Sequence, residues 1–345
     1  MNKRLDWLDV SKALGVYLVI LGHLAIFNYH TFRFIFAFHM PFFFIASGYV
    51  AGKKEPFPVF IKKCCKYYLI PYITILVLGL VQCLILPIWG HDVHYLLRSD
   101  ILEKTFYGGH PVYSFFGSGW FLIAMFWAQI IFYGMLKAGE KLKKYIVVLL
   151  WIVLVFMAVF AGDIFRGIPY FEKLPLKLDS ALMGTVFLGI GYKLKQIKIL
   201  EKDKKFLSAI YAIGGALITW LFGCEWNYYV NLCDCEYAKE YNYLIAAIAG
   251  SVMLFGLGQL LHKSKVLQYM GRNTLFIFLA HELIYVSLLR LTNSVFHKEF
   301  TSQGMPLNGW SIGISVLTLI LATLMSLGYN KIKSKFFQKK NSLHK

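Results

Sequence analysis

The chain has 345 residues, 58% of which are hydrophobic, and a formal net charge of +18. This composition, with a mean hydropathy of +0.58, excludes an ordinary soluble domain and predicts an integral membrane protein. The excess of Lys and Arg does not require a nucleic-acid partner, because membrane topology also concentrates basic residues in loops.

Ten apolar runs are long enough to cross about 30 Å of hydrocarbon. They predict an all-α, polytopic membrane helical bundle of about ten transmembrane helices, contained in a single domain over 1–345. The run at 180–192 is short, so it needs extension or local thinning of the bilayer. In chain order the predicted spans are 10–28, 34–52, 66–88, 118–136, 145–162, 180–192, 206–223, 242–261, 273–290 and 309–329.

The orientation follows from where the basic residues fall. Most of the 36 Lys and Arg residues lie in alternate connecting segments, with dense clusters at 53–66, 137–144 and 193–205. Short loops rich in these residues stay on the cytoplasmic side. Both termini are therefore predicted to be cytoplasmic, with a basic cytoplasmic tail at 330–345.

The first span contains two ionisable residues, Lys12 and His23, where apolar residues are expected. Eleven residues at about 100° each bring their side chains to one helix face, roughly 16 Å apart along the axis. Asp9 shares that face. Ionisable groups within a span usually face the bundle interior and mark a substrate or proton site. The first span is therefore predicted to carry the chemistry.

Cysteines and histidines elsewhere give weaker indications. Three of the six cysteines, Cys224, Cys233 and Cys235, fall on the predicted outer face, which leaves one disulfide open. No metal-ligand spacing stands out, so we predict no metal site. The long outer loop at 89–117 is either a lid over an outward cavity or a solvated connector.

Several short motifs occur in order and together cover most of the chain. They are Asp9-Val10-Ser11-Lys12 with His23, Phe38-His39-Met40-Pro41, Ser47-Gly48-Tyr49, Ile70-Pro71-Tyr72, Trp120-Phe121-Leu122, Leu178-Asp179-Ser180 and Met270-Gly271-Arg272-Asn273 leading to His281. This set resembles the acyltransferase 3 family of bacterial membrane acyltransferases. The position of Lys12 holds arginine in many members of that family, and the lysine variant resembles the branch of sugar O-acetylases. Lysine keeps the positive charge but lacks the guanidinium fork.

The resemblance implies a membrane O-acyltransferase of the bacterial cytoplasmic membrane. Members commonly move an acetyl group from acetyl-CoA to a hydroxyl of a cell-surface saccharide or lipid-linked glycan. These 345 residues include no extracytoplasmic domain, so we expect a stand-alone enzyme that acts on the acceptor directly. Its partners would be acetyl-CoA, the saccharide or glycolipid acceptor and the lipid bilayer.

An elongated donor fits the first helix. Lys12 lies near the predicted cytoplasmic end, and His23 lies in the outer half. We expect the phosphates of acetyl-CoA to meet Lys12, Lys62, Lys63 and Arg272 and the thioester to reach His23. Neutral histidine suits the general base that an alcohol nucleophile needs at neutral pH. His39 is a second catalytic candidate.

Direct transfer is preferred to an acyl-enzyme, because no serine or cysteine is placed beside His23. Asp179, Trp120 and His281 are predicted to bind substrate, although Asp179 could instead cap a helix. The N–H groups of 117–120 could stabilise negative charge on the thioester oxygen.

Each of these residues also has a structural interpretation. The histidines could simply join helices by hydrogen bonds. Asp9 could either neutralise Lys12 or position it. The alternative function is a secondary transporter or flippase with a polar pathway through the bundle.

Overall fold

The structure is a computed structural model that describes residues 4–24, 29–52, 55–85, 117–166, 174–198, 200, 205–296 and 309–342. Within these ranges the regular structure is helical, apart from one isolated bridge between Asn231 and Glu236. A five-residue π-helix, Cys65–Leu69, joins two α-helices, and a 3₁₀ turn at Gly117–Gly119 opens another.

The α-helices of the described ranges are numbered in chain order. They are α1 (Asp6–Leu24), α2 (Tyr29–Phe36), α3 (His39–Val50), α4 (Phe57–Cys64), α5 (Ile70–Ile85), α6 (Trp120–Lys141), α7 (Lys144–Val159), α8 (Ala161–Arg166), α9 (Leu178–Ile197), α10 (Lys205–Trp220), α11 (Glu240–Leu260), α12 (Lys265–Arg272), α13 (Thr274–Phe296) and α14 (Gly309–Ser342).

Seven helical stretches in the described part of the chain are long and apolar enough to cross a membrane. One of them, Tyr29–Val50, combines α2 and α3. The predicted runs at 66–88, 145–162 and 180–192 coincide with α5, α7 and α9, which are not among the seven. The all-helical membrane fold is thus confirmed, whereas the count of ten and the cytoplasmic termini stay predictions.

Several helices extend beyond the predicted apolar runs, because a charged residue ends an apolar run but does not end a helix. Helix α1 begins at Asp6, four residues before the predicted span, so Asp9 lies inside its first turns. Helix α9 covers 20 residues and extends well past the short run at 180–192. Helix α14 continues to Ser342, so the predicted tail begins as helix.

Helix α1 lies at the centre of the bundle. It packs against α3, α11, α12, α13 and α14. The Ser11 hydroxyl is 2.9 Å from the carbonyl oxygen of Trp7 on its own helix and 2.9 Å from that of Leu254 on α11. An ionisable side chain on α1 therefore faces protein or a cavity rather than lipid.

The outermost helices expose large apolar side chains. Examples are Ile152 on α7, Ile213 and Leu217 on α10 and Leu324 on α14. In a soluble protein such surfaces would promote association. A bilayer covers them, in agreement with the apolar composition.

Helices α3 and α9 pack with their backbones in contact through two glycines. A methyl group added at Gly48 would lie 2.0 Å from the carbonyl oxygen of Leu188. One added at Gly191 would lie 2.0 Å from that of Ile45. Small residues at such positions let membrane helices approach closely. This contact fixes α3 beside α9.

Replacing either glycine should therefore destabilise the bundle. We expect Gly48→Ala and Gly191→Ala each to lower the free energy of unfolding by about 1–3 kcal/mol, because backbone cannot move aside as a side chain can. Gly134→Ala is the control, since a methyl there meets no atom within 4 Å. Thermal denaturation in detergent measures the effect. Equal midpoints for the Gly48 and Gly134 variants would contradict the described packing.

Candidate functional site

A buried carboxylate organises the end of the bundle at which α1 begins. Asp9 is 3% exposed, and its oxygens lie 2.6 Å from Arg4 Nε, 3.5 Å from Arg272 Nε and 4.0 Å from Lys12 Nζ. Arg272 also pairs with Asp6 at 3.2 Å. The hydrogen bond to Asp9 raises the pKa of Arg4. Because three cations share two carboxylates, Asp9 does not neutralise Lys12 in a simple pair.

Lys12 lines a cavity of ≈ 300 Å³. Its walls come from α1, α3, the π-helix, α6 and the start of α13. Lys12 is the charged member of this lining. The other lining residues are Phe43, Ser47, Val50, Tyr67, Tyr68, Phe121, Leu122, Met125, Thr274, Leu275 and Phe278. We call this the Lys12 cavity.

A second cavity of ≈ 270 Å³ adjoins the first and shares four residues with it, Ser47, Val50, Tyr67 and Tyr68. Its lining includes Lys63, whose Nζ is 2.5 Å from Glu55 Oε1. We call it the Lys63 cavity.

Of the predicted phosphate ligands, Lys12 and Lys63 thus line cavities. Arg272 lies in the Asp9 cluster. Lys62 is exposed on α4 and lines neither cavity.

Farther along α1, His23 lies beside two residues of α13. The donor atoms of His23, His281 and Glu282 all lie within 4.8 Å of one another. The rings of His23 and His281 are 5.3 Å apart, and the His23 ring stacks on Tyr285 at 5.8 Å. The structure therefore brings together two of the predicted histidines, and it adds Glu282, which the sequence reasoning missed.

The hydrogen bonds of His281 and Glu282 leave one polar atom of each open. His281 Nδ1 lies 2.5 Å from the Phe278 carbonyl oxygen, so this nitrogen carries the proton and donates. Glu282 Oε1 accepts from the Ser118 N–H at 2.9 Å. Among the described residues, His281 Nε2 and Glu282 Oε2 have no hydrogen-bond partner although both are buried. Buried polar atoms without partners are uncommon, and a catalytic role is one of the explanations for them.

The glycine-containing turn before α6 has a different role from the one predicted. The Ser118 N–H is occupied by Glu282, so it is not available to a thioester oxygen in this arrangement. Trp120, at the start of α6, is 9% exposed and packs edge-on against Phe121. The turn therefore positions Glu282. Trp120, which follows the turn, does not lie on an open surface.

Two other predicted residues, His39 and Asp179, are not members of this group, although His39 interacts electrostatically with His23. His39 is buried, donates from Nδ1 to the Ile35 carbonyl oxygen at 2.8 Å, and contacts the Phe36 ring at 4.8 Å. Asp179 is buried, and its Oδ1 accepts from the Ser180 N–H at 2.7 Å. Neither belongs to the group formed by His23, His281 and Glu282.

The three cysteines of the predicted outer face are each buried and form no disulfide in the structure. Cys224, Cys233 and Cys235 are free thiols in the structure. Burial raises the pKa of the Cys235 thiol to about 12, which keeps it protonated and unreactive. Of the predicted outer loop at 89–117, only Gly117 lies inside the described residues.

A short chain of contacts links the Lys12 cavity to the histidines. Phe278 forms part of the cavity wall, and its ring centroid is 5.6 Å from that of His281. His281 in turn contacts His23. Phe121, another wall residue, is 5.5 Å from Phe278. A single layer of side chains therefore separates the cavity that holds Lys12 from the His23 group.

Comparison with known proteins identifies the family. The model of a family described as an acyltransferase domain matches residues 5–327, nearly the whole chain. The chain belongs to the acyltransferase 3 family. No curated protein and no solved structure matches it. The family assignment and the apolar helices together make the chain a multi-pass membrane acyltransferase.

In this acyltransferase the three-residue group offers two kinds of chemistry. An imidazole beside a second imidazole and a carboxylate can accept and pass on a proton. Two histidines and a glutamate also match a donor set that binds zinc. The proton role needs no component beyond the three residues themselves.

Replacing Glu282 tests the proton role. We expect Glu282→Gln to lower kcat for acyl transfer by about 10- to 100-fold with little change in KM. The amide oxygen can still accept from Ser118, so folding should be kept. Glu140→Gln, which changes an exposed carboxylate on α6, should leave kcat unchanged. A bound metal would instead show as loss of activity with a chelator and recovery with zinc.

Proposed function

We propose that this acyltransferase moves an acetyl group from cytoplasmic acetyl-CoA to a hydroxyl of a cell-surface saccharide or lipid-linked glycan, with His23 as general base. The observation that carries the proposal is the arrangement along α1. A cation lines a cavity at one end, and an imidazole lies one side-chain layer beyond that cavity. An extended donor with a charged head and a reactive tip fits this order.

The charged head of the donor would lie at the Lys12 end. Lys12 is 29% exposed in its side chain and contacts Asp9 only at 4.0 Å, so its ammonium group has donors left for phosphate. Arg272 lies in the same cluster, and Lys63 lines the adjoining cavity. Lys62 lines neither cavity, and we assign it no part in donor binding.

The acyl transfer itself would take place at His23. The acceptor hydroxyl loses its proton to the His23 imidazole while its oxygen attacks the thioester carbonyl carbon. The carbon–sulfur bond then breaks, and the coenzyme A thiolate leaves and takes up the proton from His23. His281 and Glu282 each place a donor atom within 4.8 Å of His23, close enough to stabilise the transient imidazolium.

Direct transfer remains the proposed route. Among the described residues, the donor-atom group around His23 contains no cysteine, and Ser118 contributes its backbone N–H to Glu282. His39 lies at the start of α3, and because its Nδ1 donates to Ile35, its Nε2 is the nitrogen that can accept a proton. We propose that His39 orients the acceptor or assists proton transfer.

Replacing His23 should stop the chemistry without removing donor binding. We expect His23→Asn to lower kcat by about 10²- to 10⁴-fold, because a positioned base contributes this much to proton transfer. Steady-state kinetics with labelled acetyl-CoA and a panel of glycans measures the change. Wild-type turnover in the His23 variant would exclude the base role.

Replacing Lys12 should do the opposite. Lys12→Met should raise KM for acetyl-CoA by about 10- to 100-fold with a small effect on kcat, since bonds to charged groups are worth about 1.5–3 kcal/mol. Lys137→Met removes a lysine at the far end of α6, which lines neither cavity, and should leave both constants unchanged. Equal KM values for all three proteins would contradict the phosphate role.

The same assay separates the enzyme from a transporter or flippase. Only an enzyme consumes the thioester while the acceptor gains the mass of one acetyl group. Movement of a glycan across vesicle membranes with intact acetyl-CoA would support transport and overturn the proposal.

A further inference from the structure

Three neutral polar side chains meet between the two cavities. Gln129 on α6 donates from Nε2 to Ser47 Oγ on α3 at 2.7 Å. The hydroxyl of Tyr68, on the π-helix, hydrogen-bonds to both Ser47 and Gln129. We call this set the Ser47 cluster. Its groups are donors and acceptors without charge, so they suit amides and hydroxyls better than phosphates.

The Ser47 cluster lies where the Lys12 and Lys63 cavities adjoin. Ser47 and Tyr68 line both cavities, and Gln129 lines the Lys63 cavity. The level of the Ser47 cluster along the bundle follows from the contacts between α1 and α3. Trp7 contacts Tyr49 at 5.3 Å, and Gly15 lies against Phe43. Ser47 lies between these levels, so it faces the cavity at about the depth of Lys12.

The π-helix explains why a tyrosine reaches this point. Cys65–Leu69 interrupts the α-helical pattern between α4 and α5. A π turn carries an extra residue, and such turns occur frequently at functional sites. Here Tyr67 and Tyr68 each line both cavities. Neighbouring residues of an α-helix point about 100° apart and therefore line the same cavity less easily.

The remaining walls restrict what a ligand can be. Apart from the Ser47 cluster, Lys12, Tyr67 and Thr274, the Lys12 cavity is lined by apolar side chains such as Phe121, Leu122 and Phe278. The Lys12 cavity therefore suits a ligand that has an anionic group, hydroxyl or amide groups next to it, and an apolar, slender end. A pantetheine arm attached to a diphosphate has these features in this order.

We infer that Ser47, Tyr68 and Gln129 bind the hydroxyl and amide groups of the pantetheine arm of the donor. This inference rests on the proposed function and deepens it. The cluster would bind the section of the arm next to the diphosphate, while Lys12 binds the phosphate itself. An acetyl donor without amide and hydroxyl groups, such as acetyl phosphate, would gain no hydrogen bonds from the cluster.

The test compares two donors, acetyl-CoA and acetyl-pantetheine, which lacks the phosphates and nucleotide. Ser47→Ala and Gln129→Leu should raise KM for both donors by a similar factor, about 5- to 30-fold, since each removes hydrogen bonds to the shared arm. Lys12→Met should raise KM for acetyl-CoA alone. The change in kcat should be small for all three variants.

A matched serine provides the control. Ser208 Oγ on α10 lies 2.8 Å from Gln259 Oε1 on α11, a second serine–glutamine pair that lines neither cavity. Ser208→Ala should leave KM unchanged for both donors. If Ser47→Ala behaves like Ser208→Ala, the inference is wrong while the acetyl-CoA reaction stands. If the wild-type protein consumes neither donor, the proposed function is wrong and this inference falls with it. Thermal denaturation of each variant separates lost binding from lost folding.

Discussion

The ion cluster around Asp9 is the interaction on which the site at this end of the bundle depends. A carboxylate that is 3% exposed is costly without partners, and Arg4 and Arg272 supply them at 2.6 Å and 3.5 Å. The backbone enforces the same contact, because a methyl group at Gly271 would lie 1.7 Å from the Asp9 carbonyl oxygen. These contacts hold helix α12 against α1. The ammonium group of Lys12, which is paired only loosely with Asp9, stays at the cavity.

The two ends of the stripe on α1 have opposite electrostatic character. At Lys12, several full charges lie within a few ångströms of one another. At His23, the neighbours are a second imidazole, a tyrosine ring and a carboxylate that already accepts a backbone N–H. The first environment favours binding an anion, and the second favours moving a proton. Helix α1 therefore holds these two environments at a fixed separation.

The sequence indicated this helix because helical spacing places Lys12 and His23 on one face whatever the rest of the fold does. It did not reveal Glu282. The available signal was a carboxylate next to His281 in an apolar run, but its partner Ser118 lies 164 residues away along the chain. Local pattern also cannot show that packing buries Trp120 and Asp179, and their role in substrate binding stays a prediction. The π-helix at Cys65–Leu69 likewise depends on tertiary contacts with α6.

The close backbone contact of α3 with α9 also limits how the protein can change shape. Each helix places a glycine against a carbonyl oxygen of the other, at Gly48 and Gly191. Reciprocal contacts of this kind resist sliding, because movement along either axis drives an α-carbon into the opposite peptide. Helices α3 and α9 should therefore move as one rigid unit, which includes Ser47. Any widening of the cavities to admit a bulky ligand would have to come from the other wall, to which α4 and the π-helix contribute.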